Sequence, residues 1–425
     1  MYKEIVQCRV CGNPRLDPIL HLGMQALTGV FPRPGEIVPE GPLEVVKCRE
    51  QTGSDTCGLV QLRHSFEPGQ MYGENYGYRS GLNRSMVSHL EGIARYAKAA
   101  VAFAPGDVIL DIGSNDSTLL QAFAEPGITA VGMDPTGIKF KAFYPEDVRL
   151  IPEFFSAQRY FHQVGRKRAK IVSSIAMFYD LEKPLDFMAQ VAEVLAEDGV
   201  WVFEQSYLPS MIAQNSYDTI CHEHLEYYRL KQIIWMAERV GLKIQDVELN
   251  SANGGSFRVL ARHAEVSVTA LPPKVASVLE AEESKGFDRM STYSAFSQRV
   301  DEHRRALRKF LEELHADRKT ILGYGASTKG NVLLQFCGFG PEDLPYIAEV
   351  NPDKFGRLTP GTSIPIISEA EALKLEPDAF LVLPWHFRND FLSRADKYLT
   401  GGRAFVFPLP SIEVFRNAQS ASNRI

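Results

Sequence analysis

The chain has few of the features that mark membrane, secreted and nucleic-acid-binding proteins. No apolar run is long enough to span a bilayer, and the N-terminus has no apolar signal-peptide core, so we expect a cytoplasmic protein with no membrane partner. Basic residues are not in excess, because 46 Lys and Arg face 52 Asp and Glu for a formal charge of −6. This balance argues against a nucleic acid partner. Internal repeats and low-complexity tracts are also lacking.

Cysteine is scarce too, and its placement is informative. Six cysteines in 425 residues do not resemble a secreted disulfide framework. Four of them lie near the N-terminus: Cys8, Cys11, Cys48 and Cys57. A Cys-x-x-Cys pair followed by glycine presents two thiolates to one ion, and a second pair completes a tetrahedral site. We predict structural zinc without a catalytic role, although eight residues separate the second pair. Reduced cysteines in a small β segment and a redox pair are the alternatives.

A nucleotide-binding unit is predicted in the stretch from residue 107 to 136. Residues 108–112 predict a buried parallel strand, Gly113 a tight turn and residues 117–123 the start of a helix. A second apolar strand then ends on Asp134. An acidic side chain about 20 residues beyond the glycine turn is placed to accept the hydroxyls of an adenosine ribose.

The glycines that this loop lacks indicate which nucleotide binds. A dinucleotide site needs further glycines around the pyrophosphate, but Gly113 is followed by Ser-Asn-Asp-Ser. Asp116 would compete with phosphate for the donors of the helix N-terminus. A cationic cofactor avoids this conflict, so we predict S-adenosylmethionine (SAM); NAD, or a unit that binds nothing, are the alternatives. The predicted cofactor-binding residues are Asp111, Gly113, Asn115, Asp116, Asp134, Phe154 and Ser174.

The densest cluster of ionisable groups is Cys-His-Glu-His-Leu-Glu-Tyr-Tyr at residues 221–228. An imidazole that titrates near neutrality, with an acid to orient it, is what proton abstraction requires. Metal ligation and a solvated helix face are the alternatives. Upstream, Tyr76, Tyr78 and Arg79 could line a polar substrate pocket or pack against the next domain.

A second strand–turn–helix unit begins near residue 319, with the sequence Thr-Ile-Leu-Gly-Tyr-Gly-Ala-Ser-Thr-Lys-Gly-Asn at 320–331. Its loop carries hydroxyls and a lysine instead of carboxylates, which suits a diphosphate. A purely structural Rossmann-like unit is the alternative.

The predicted fold class is α/β, with several domains. We expect a zinc-binding domain at 1–65, a SAM-binding domain at 66–265 whose segment 66–104 is a helical lead-in, a helical connector at 266–318, and a Rossmann-like domain at 319–425. Residues 257–261 are expected to form the last strand, at an antiparallel edge of the SAM-binding sheet.

Four motifs in order carry a resemblance over nearly the whole chain: Cys-x-x-Cys, Asp-Ile-Gly-Ser-Asn-Asp, His-Glu-His and Gly-Tyr-Gly-Ala-Ser-Thr-Lys-Gly-Asn. This chain resembles the sugar C-methyltransferases that act on nucleotide-linked 4-keto deoxysugars, the family of the tetronitrose C-3' methyltransferase. The resemblance implies a class I SAM-dependent methyltransferase domain, a zinc domain whose ion is structural, and a C-terminal Rossmann-like domain that helps to hold a dTDP- or GDP-linked sugar.

The resemblance also implies site residues. The histidine of the family's Asp-Glu-His motif, which is its base, matches His224, so His224 would take a proton beside the ketone, at C-3, while Glu223 orients the ring. This chain departs from the family at Cys221, at His222 in place of the aspartate, and at Tyr179 in place of a histidine. The expected catalytic residues are His224, Glu223, Tyr76, Tyr78 and Tyr179, and the expected substrate contacts are Arg79, His222, Tyr324, Ser327, Thr328, Lys329 and Asn331. A sugar O-methyltransferase and a non-catalytic nucleotide-sugar-binding protein are the rival functions.

Overall fold

The computed structural model describes residues 2–51, 53–67, 69, 78–266, 270–393, 395–399 and 402–416. The N-terminal strands are β1 (Lys3–Glu4), β2 (Leu16–Ala26), β3 (Glu40–Cys48), β4 (Val60–Leu62) and β5 (His64–Ser65). Strands β2, β3 and β4 form an antiparallel meander, and β1 pairs with β5 in a separate two-stranded ribbon.

The central part of the chain forms a seven-stranded sheet with helices. In chain order its elements, with one strand that joins another sheet, are α1 (Arg84–Ala99), β6 (Val108–Ile112), α2 (Thr118–Ala122), β7 (Thr129–Met133), β8 (Val148–Ile151), α3 (Ala157–Val164), β9 (Ala169–Ile175), α4 (Pro184–Val194), β10 (Leu195–Ser206), α5 (Leu208–Ala213), β11 (Glu226–Tyr227), α6 (Leu230–Arg239), β12 (Leu242–Asn250) and β13 (Ser256–His263). The strand order is β12-β13-β10-β9-β6-β7-β8. All five residues of β6 are buried, as expected for a parallel strand covered on both faces.

Strand β13 is antiparallel to its neighbours, as predicted, but its predicted place at the sheet edge is wrong. It lies between β12 and β10, and β12 forms the edge. The chain reaches β12 first, after α6, and the tight turn at residues 252–255 then folds β13 back into the gap. Asn253 and Gly254 make that turn with φ of +52° and +90°.

Two helices lead into the C-terminal sheet. The elements are α7 (Pro273–Ser284), α8 (Met290–Ala316), β14 (Ile321–Tyr324), α9 (Thr328–Cys337), β15 (Ile347–Glu349), β16 (Ile366–Ser368), α10 (Glu369–Lys374), β17 (Ala379–Val382), α11 (Arg388–Leu392), α12 (Ala395–Tyr398), β18 (Ala404–Phe407) and β19 (Glu413–Arg416). The strand order is β16-β15-β14-β17-β18-β19, and only the β18–β19 pairing is antiparallel.

Strand β11 links the central part of the chain to the N-terminal sheet. It pairs antiparallel with β4, Glu226 opposite Gln61, and gives a four-stranded sheet of order β11-β4-β3-β2. Just before it, the carbonyl of Leu225 accepts a hydrogen bond from the Leu62 amide at 2.8 Å, and the Leu225 amide donates to the carbonyl of Tyr179 at 2.8 Å. The histidine-rich segment is therefore held between the N-terminal sheet and the central sheet.

Among the helices in the described ranges, none combines the length and the apolar character that crossing a membrane requires.

Candidate active site

The four N-terminal cysteines converge as predicted. Their sulfur atoms all lie within 4.8 Å of one another, at Cys8, Cys11, Cys48 and Cys57. None is in a disulfide, and the longer spacing of the second pair is accommodated by a loop in which Lys47 Nζ donates to the Glu50 carboxylate at 2.8 Å. Asn13 Nδ2 also donates to Cys48 Sγ, at 3.4 Å. Four free thiols in this arrangement fit a closed tetrahedral zinc site.

The carboxyl ends of the parallel strands in the seven-stranded and six-stranded sheets line one cavity of about 970 Å³. Open α/β sheets bind ligands at this end of their strands. Twelve of the predicted site residues line it: Tyr78, Arg79, Asp111, Gly113, Asn115, Tyr179, Glu223, His224, Tyr324, Ser327, Thr328 and Lys329. Six others do not: Asp116, Asp134, Phe154, Ser174, His222 and Asn331. Tyr76 lies outside the described residues.

The first crevice of this cavity is built at the ends of β6 and β7. Gly113 turns the chain with φ of +79°, and the backbone amide of Asn115 donates to Asp134 Oδ2 at 2.7 Å. Burial raises the pKa of Asp111 to about 7, and the Ser173 hydroxyl donates to its carboxylate at 2.6 Å. Acidic groups in and behind a glycine turn suit a cofactor that carries positive charge, so the residues present fit SAM.

Asp116 ties this loop to the segment that precedes it. Its carboxylate accepts hydrogen bonds from the Gly81 amide at 2.9 Å and from the Thr118 hydroxyl at 2.6 Å. It also takes the Thr118 amide, a donor of the first turn of α2, at 3.3 Å, which is the competition with phosphate that the sequence predicted. Arg79 Nε lies 3.7 Å from Asp116 Oδ2, and the guanidinium group packs over the Phe143 ring. Arg79 therefore lies beside the first crevice.

The second crevice repeats the geometry of the first at the ends of β14 and β15. Glu349 Oε2 accepts the backbone amide of Ala326 at 2.9 Å, as Asp134 accepts that of Asn115. A cation accompanies it here: Lys354 Nζ donates to the Ala326 carbonyl at 2.7 Å and lies 3.8 Å from Glu349 and 4.5 Å from the Phe31 ring.

Three polar residues near the second crevice are already engaged by the protein. The Ser327 hydroxyl caps α9 by accepting the Gly330 amide at 3.1 Å, and the Tyr324 hydroxyl donates to Glu369. Asn331 is fully buried, and its amide donates to the Thr28 carbonyl at 2.7 Å. Because Asn331 holds the N-terminal region in place and does not line the cavity, we do not retain it as a substrate contact.

His224 lies in the cavity with a defined orientation. Its Nδ1 is 2.8 Å from the Thr219 carbonyl, so Nδ1 carries the proton and Nε2 carries the lone pair. The Tyr179 ring packs against the imidazole with ring centroids 4.3 Å apart. Burial, and then the charge of Lys329, lower the pKa of His224 to about 3. The imidazole is therefore neutral at physiological pH and able to accept a proton.

The predicted partnership of Glu223 with His224 is wrong, because the Thr219 carbonyl takes the orienting position. Glu223 instead faces the loop after β2: its carboxylate accepts the Thr28 hydroxyl at 3.4 Å, and burial raises its pKa. His222 turns away from the cavity, with Nε2 3.3 Å from the Gly41 carbonyl, so the substrate contact is not retained for it either. The histidine-rich segment is a mostly buried turn, which contradicts the solvated-helix alternative.

Ser174 and Phe154 are two of the four predicted cofactor residues that lie outside the cavity lining. The Ser174 hydroxyl is fully buried and accepts the Trp201 indole N–H at 3.0 Å, so we do not retain it as a cofactor contact. Phe154 is half exposed, and its role in stacking on adenine stays a prediction.

The sequence reasoning missed a polar group on the wall formed by α1 and β10. His89 Nε2 bonds to Glu204, whose other oxygen accepts Asn250 Nδ2 at 2.9 Å and Arg258 Nε at 3.0 Å. Beside them Gln205 lines the cavity, almost fully buried, and its amide has no partner among the described residues. The one available signal was the polar pair Glu-Gln at the end of a buried strand.

Gly29 is expected to be intolerant of a side chain. A Cβ atom there would lie 2.3 Å from Glu223 Oε1 inside the cavity wall, so Gly29→Ala should lower the free energy of unfolding by about 1–3 kcal/mol through overpacking, and reduce turnover. Gly92→Ala is the matched control. Its Cβ would meet nothing nearer than 3.8 Å within α1, and alanine there should stabilise by up to about 1 kcal/mol. Thermal melts of both variants test this, and equal melting temperatures would contradict it.

Comparisons with known proteins agree with this architecture. Three family models match consecutive parts of the chain: "Putative zinc binding domain" over residues 8–72, "Methyltransferase domain" over 85–247 and "C-methyltransferase C-terminal domain" over 251–410. The C-methyltransferase NovU of Streptomyces niveus is 30% identical over 423 residues, which cover 97% of each chain.

Solved structures match about two fifths of the chain. The CcbJ methyltransferase from Streptomyces caelestis is 14% identical over 41% of this chain and 90% of its own, with a TM-score of 0.32. The mitomycin 7-O-methyltransferase MmcR is 15% identical over 42% and 54%, with a TM-score of 0.32. These values are too low to support a conclusion about substrate or reaction.

The family models and the relative confirm the predicted fold class, the enzyme class and both cofactors, SAM and zinc. The chain therefore belongs to the family of SAM-dependent C-methyltransferases with an N-terminal zinc-binding domain.

Proposed function

We propose that this enzyme methylates C-3 of a dTDP- or GDP-linked 4-keto deoxysugar and that His224 is the base. The observation that carries the proposal is the orientation of His224: Nδ1 is bonded to the Thr219 carbonyl, so the basic Nε2 is left for the cavity that both crevices share. A base that stands between a cofactor site and a second nucleotide-type site suits the transfer of a methyl group to a nucleotide-linked substrate.

The second crevice supports a nucleotide sugar as the substrate. Glu349 ends a parallel strand in the position from which an acidic residue bonds a ribose hydroxyl in nucleotide-binding units. The N-terminus of α9 and Lys354 supply the amide donors and the cation that a diphosphate requires. The two crevices therefore differ in charge, which suits a cationic ligand in the first and an anionic ligand in the second.

The chemistry follows from the acidity of a carbon beside a ketone. His224 Nε2 accepts the C-3 proton, and the negative charge moves to the oxygen at C-4, where hydrogen-bond donors stabilise it. Tyr78 and Tyr179 line the cavity as candidate donors, and Tyr76 stays a prediction. SAM supplies an electrophilic methyl group when it is bound.

The division of the chain is also a proposal. We place the zinc-binding domain at 1–65, the methyltransferase domain at 66–265, the connector at 266–318 and the nucleotide-sugar domain at 319–425.

A panel assay tests the proposed substrate class. The enzyme is incubated with methyl-labelled SAM and with dTDP- and GDP-linked 4-keto sugars, and the products are examined by NMR. We expect label in an aliphatic C-methyl group. The same sugars with a reduced 4-hydroxyl are the matched control and should remain unmethylated, since no ketone acidifies C-3. A methoxy signal, or methylation of the reduced sugars, would contradict the proposal.

A further inference from the structure

Lys329 and Lys354 both line the cavity, but different groups surround them. Lys329 lies in the first turn of α9, and its Nζ donates to the carbonyl of Asn253 at 2.6 Å. Lys329 is partly buried, and the charge of Asp218 acts on it, but among the described residues its ammonium group forms no salt bridge, and one hydrogen bond leaves two of its three donors available. A partly buried cation with no carboxylate in contact is stabilised when a ligand completes its surroundings.

The position of Lys329 relates it to the base and not to the second crevice. Helix α9 packs on the turn Tyr217–Thr219, and the carbonyl of Thr219 in that turn orients His224. Asp218 in the same turn is buried and accepts the Trp385 indole N–H at 2.7 Å. Electrostatics agrees with this placement, because the charge of Lys329 follows burial among the causes that lower the pKa of His224.

Lys354, the other lysine that lines the cavity, lies where a cation could bind a diphosphate. Its ammonium group is bonded to the Ala326 carbonyl in the glycine turn and lies beside Glu349, at the second crevice. From the loop sequence alone, Lys329 is the predicted cation for the diphosphate. The structure gives Lys354 the better position for that role and leaves Lys329 for another.

We propose that Lys329 is a catalytic residue that stabilises the enolate oxygen during methyl transfer, an inference that rests on the proposed 4-keto substrate. The C-3–H bond breaks as His224 takes the proton, and its electron pair forms the C-3–C-4 double bond while the C-4 oxygen becomes anionic. The Lys329 ammonium group donates a hydrogen bond to that oxygen. Bound SAM would supply the methyl group: the enolate carbon would bond to the methyl carbon as the sulfur–methyl bond breaks, which would re-form the ketone and release S-adenosylhomocysteine.

Two variants of Lys329 test this with the nucleotide 4-keto sugar that the wild-type enzyme methylates. Lys329→Gln keeps a donor for the Asn253 carbonyl but removes the charge, and Lys329→Arg keeps the charge. We expect Lys329→Gln to lower kcat by about 100-fold to 1000-fold with little change in KM, and Lys329→Arg to retain more of the rate. Lys354→Met is the contrast and should raise KM, since it removes the cation of the second crevice.

The pH profile gives a second readout. Loss of the cation removes the second of the two causes that lower the pKa of His224, so the acid limb should shift to higher pH in Lys329→Gln than in the wild-type enzyme. Burial is the larger cause and remains, so the pKa of His224 in the variant stays below its ordinary value. The inference is overturned if Lys329→Gln raises KM and the dissociation constant for dTDP or GDP while kcat is preserved, as a diphosphate contact would. Failure of the proposed function gives a distinguishable result: the wild-type enzyme itself would then methylate no 4-keto sugar in the panel.

Discussion

Replacing His224 with asparagine is expected to lower kcat by about 100-fold to 10,000-fold, the usual contribution of a positioned general base. Asparagine can still donate from its side-chain amide to the Thr219 carbonyl, which holds His224 Nδ1 at 2.8 Å. The turn should therefore keep its shape while the basic nitrogen is lost. The dissociation constant for SAM should change little, because the first crevice is built by β6 and β7 and not by this turn. Turnover numbers and calorimetric titration with SAM measure the two effects.

His222 provides the matched control for His224, two positions away in the same turn. Its ring is buried against the Gly41 carbonyl and the Phe66 ring, outside the cavity. We expect His222→Asn to lower the melting temperature and to leave kcat within about threefold of wild type, since no proton transfer depends on it. Near-wild-type turnover in His224→Asn, or an equal loss of turnover in both variants, would refute the assignment of the base.

Removal of zinc is expected to abolish methyl transfer and to destabilise the whole enzyme. Zinc supplies about 10–16 kcal/mol of folding free energy in small zinc domains, and the cysteine cluster packs into the core of the methyltransferase sheet. Strand β11 follows the histidine turn and depends on β4 for its hydrogen bonds, so loss of the zinc domain would release His224 from its position. Elemental analysis should find one zinc per chain before chelation, and activity should fall in parallel with the metal.

Cysteine-to-serine variants separate this effect from a general loss of buried thiols. Cys8→Ser removes a predicted ligand and should reduce zinc content and melting temperature together. Cys337→Ser changes a buried thiol near Tyr217, away from the cluster, and should retain one zinc per chain. Methyl transfer that persists in a chain shown to be free of zinc would contradict the positioning role.

Local patterns were enough to predict most of the fold. Each parallel strand is a short apolar run followed by a turn, so β6, β9 and β14 could be located from composition alone. The order of strands in a sheet depends on contacts between distant residues, which explains the misplaced edge at β13. The pairing of β11 with β4 has no sequence signal, because a two-residue strand has no periodicity to detect.

The site was predictable where one segment carries the chemistry and less so where several segments meet. The cysteines and the loop around Gly113 are local motifs. In the structure the four cysteine sulfur atoms lie close to one another, and Gly113 lines the cavity, as expected. The bond of His224 to the Thr219 carbonyl joins a side chain to the backbone, and no sequence pattern reports such an acceptor. For the same reason sequence reasoning paired His224 with its neighbour Glu223 and missed His89, which meets Glu204 from a helix more than a hundred residues away.

The pairing of β11 with β4 has a consequence for how the chain is made. A ribosome releases residues 1–65 well before residues 226–227. During synthesis the backbone groups at the edge of β4 therefore stay unpaired until β11 has been made. An open strand edge invites pairing with other chains. A fragment that ends near residue 65 would keep that edge exposed permanently, and chimaeras that exchange N-terminal modules between relatives would have to exchange β11 as well.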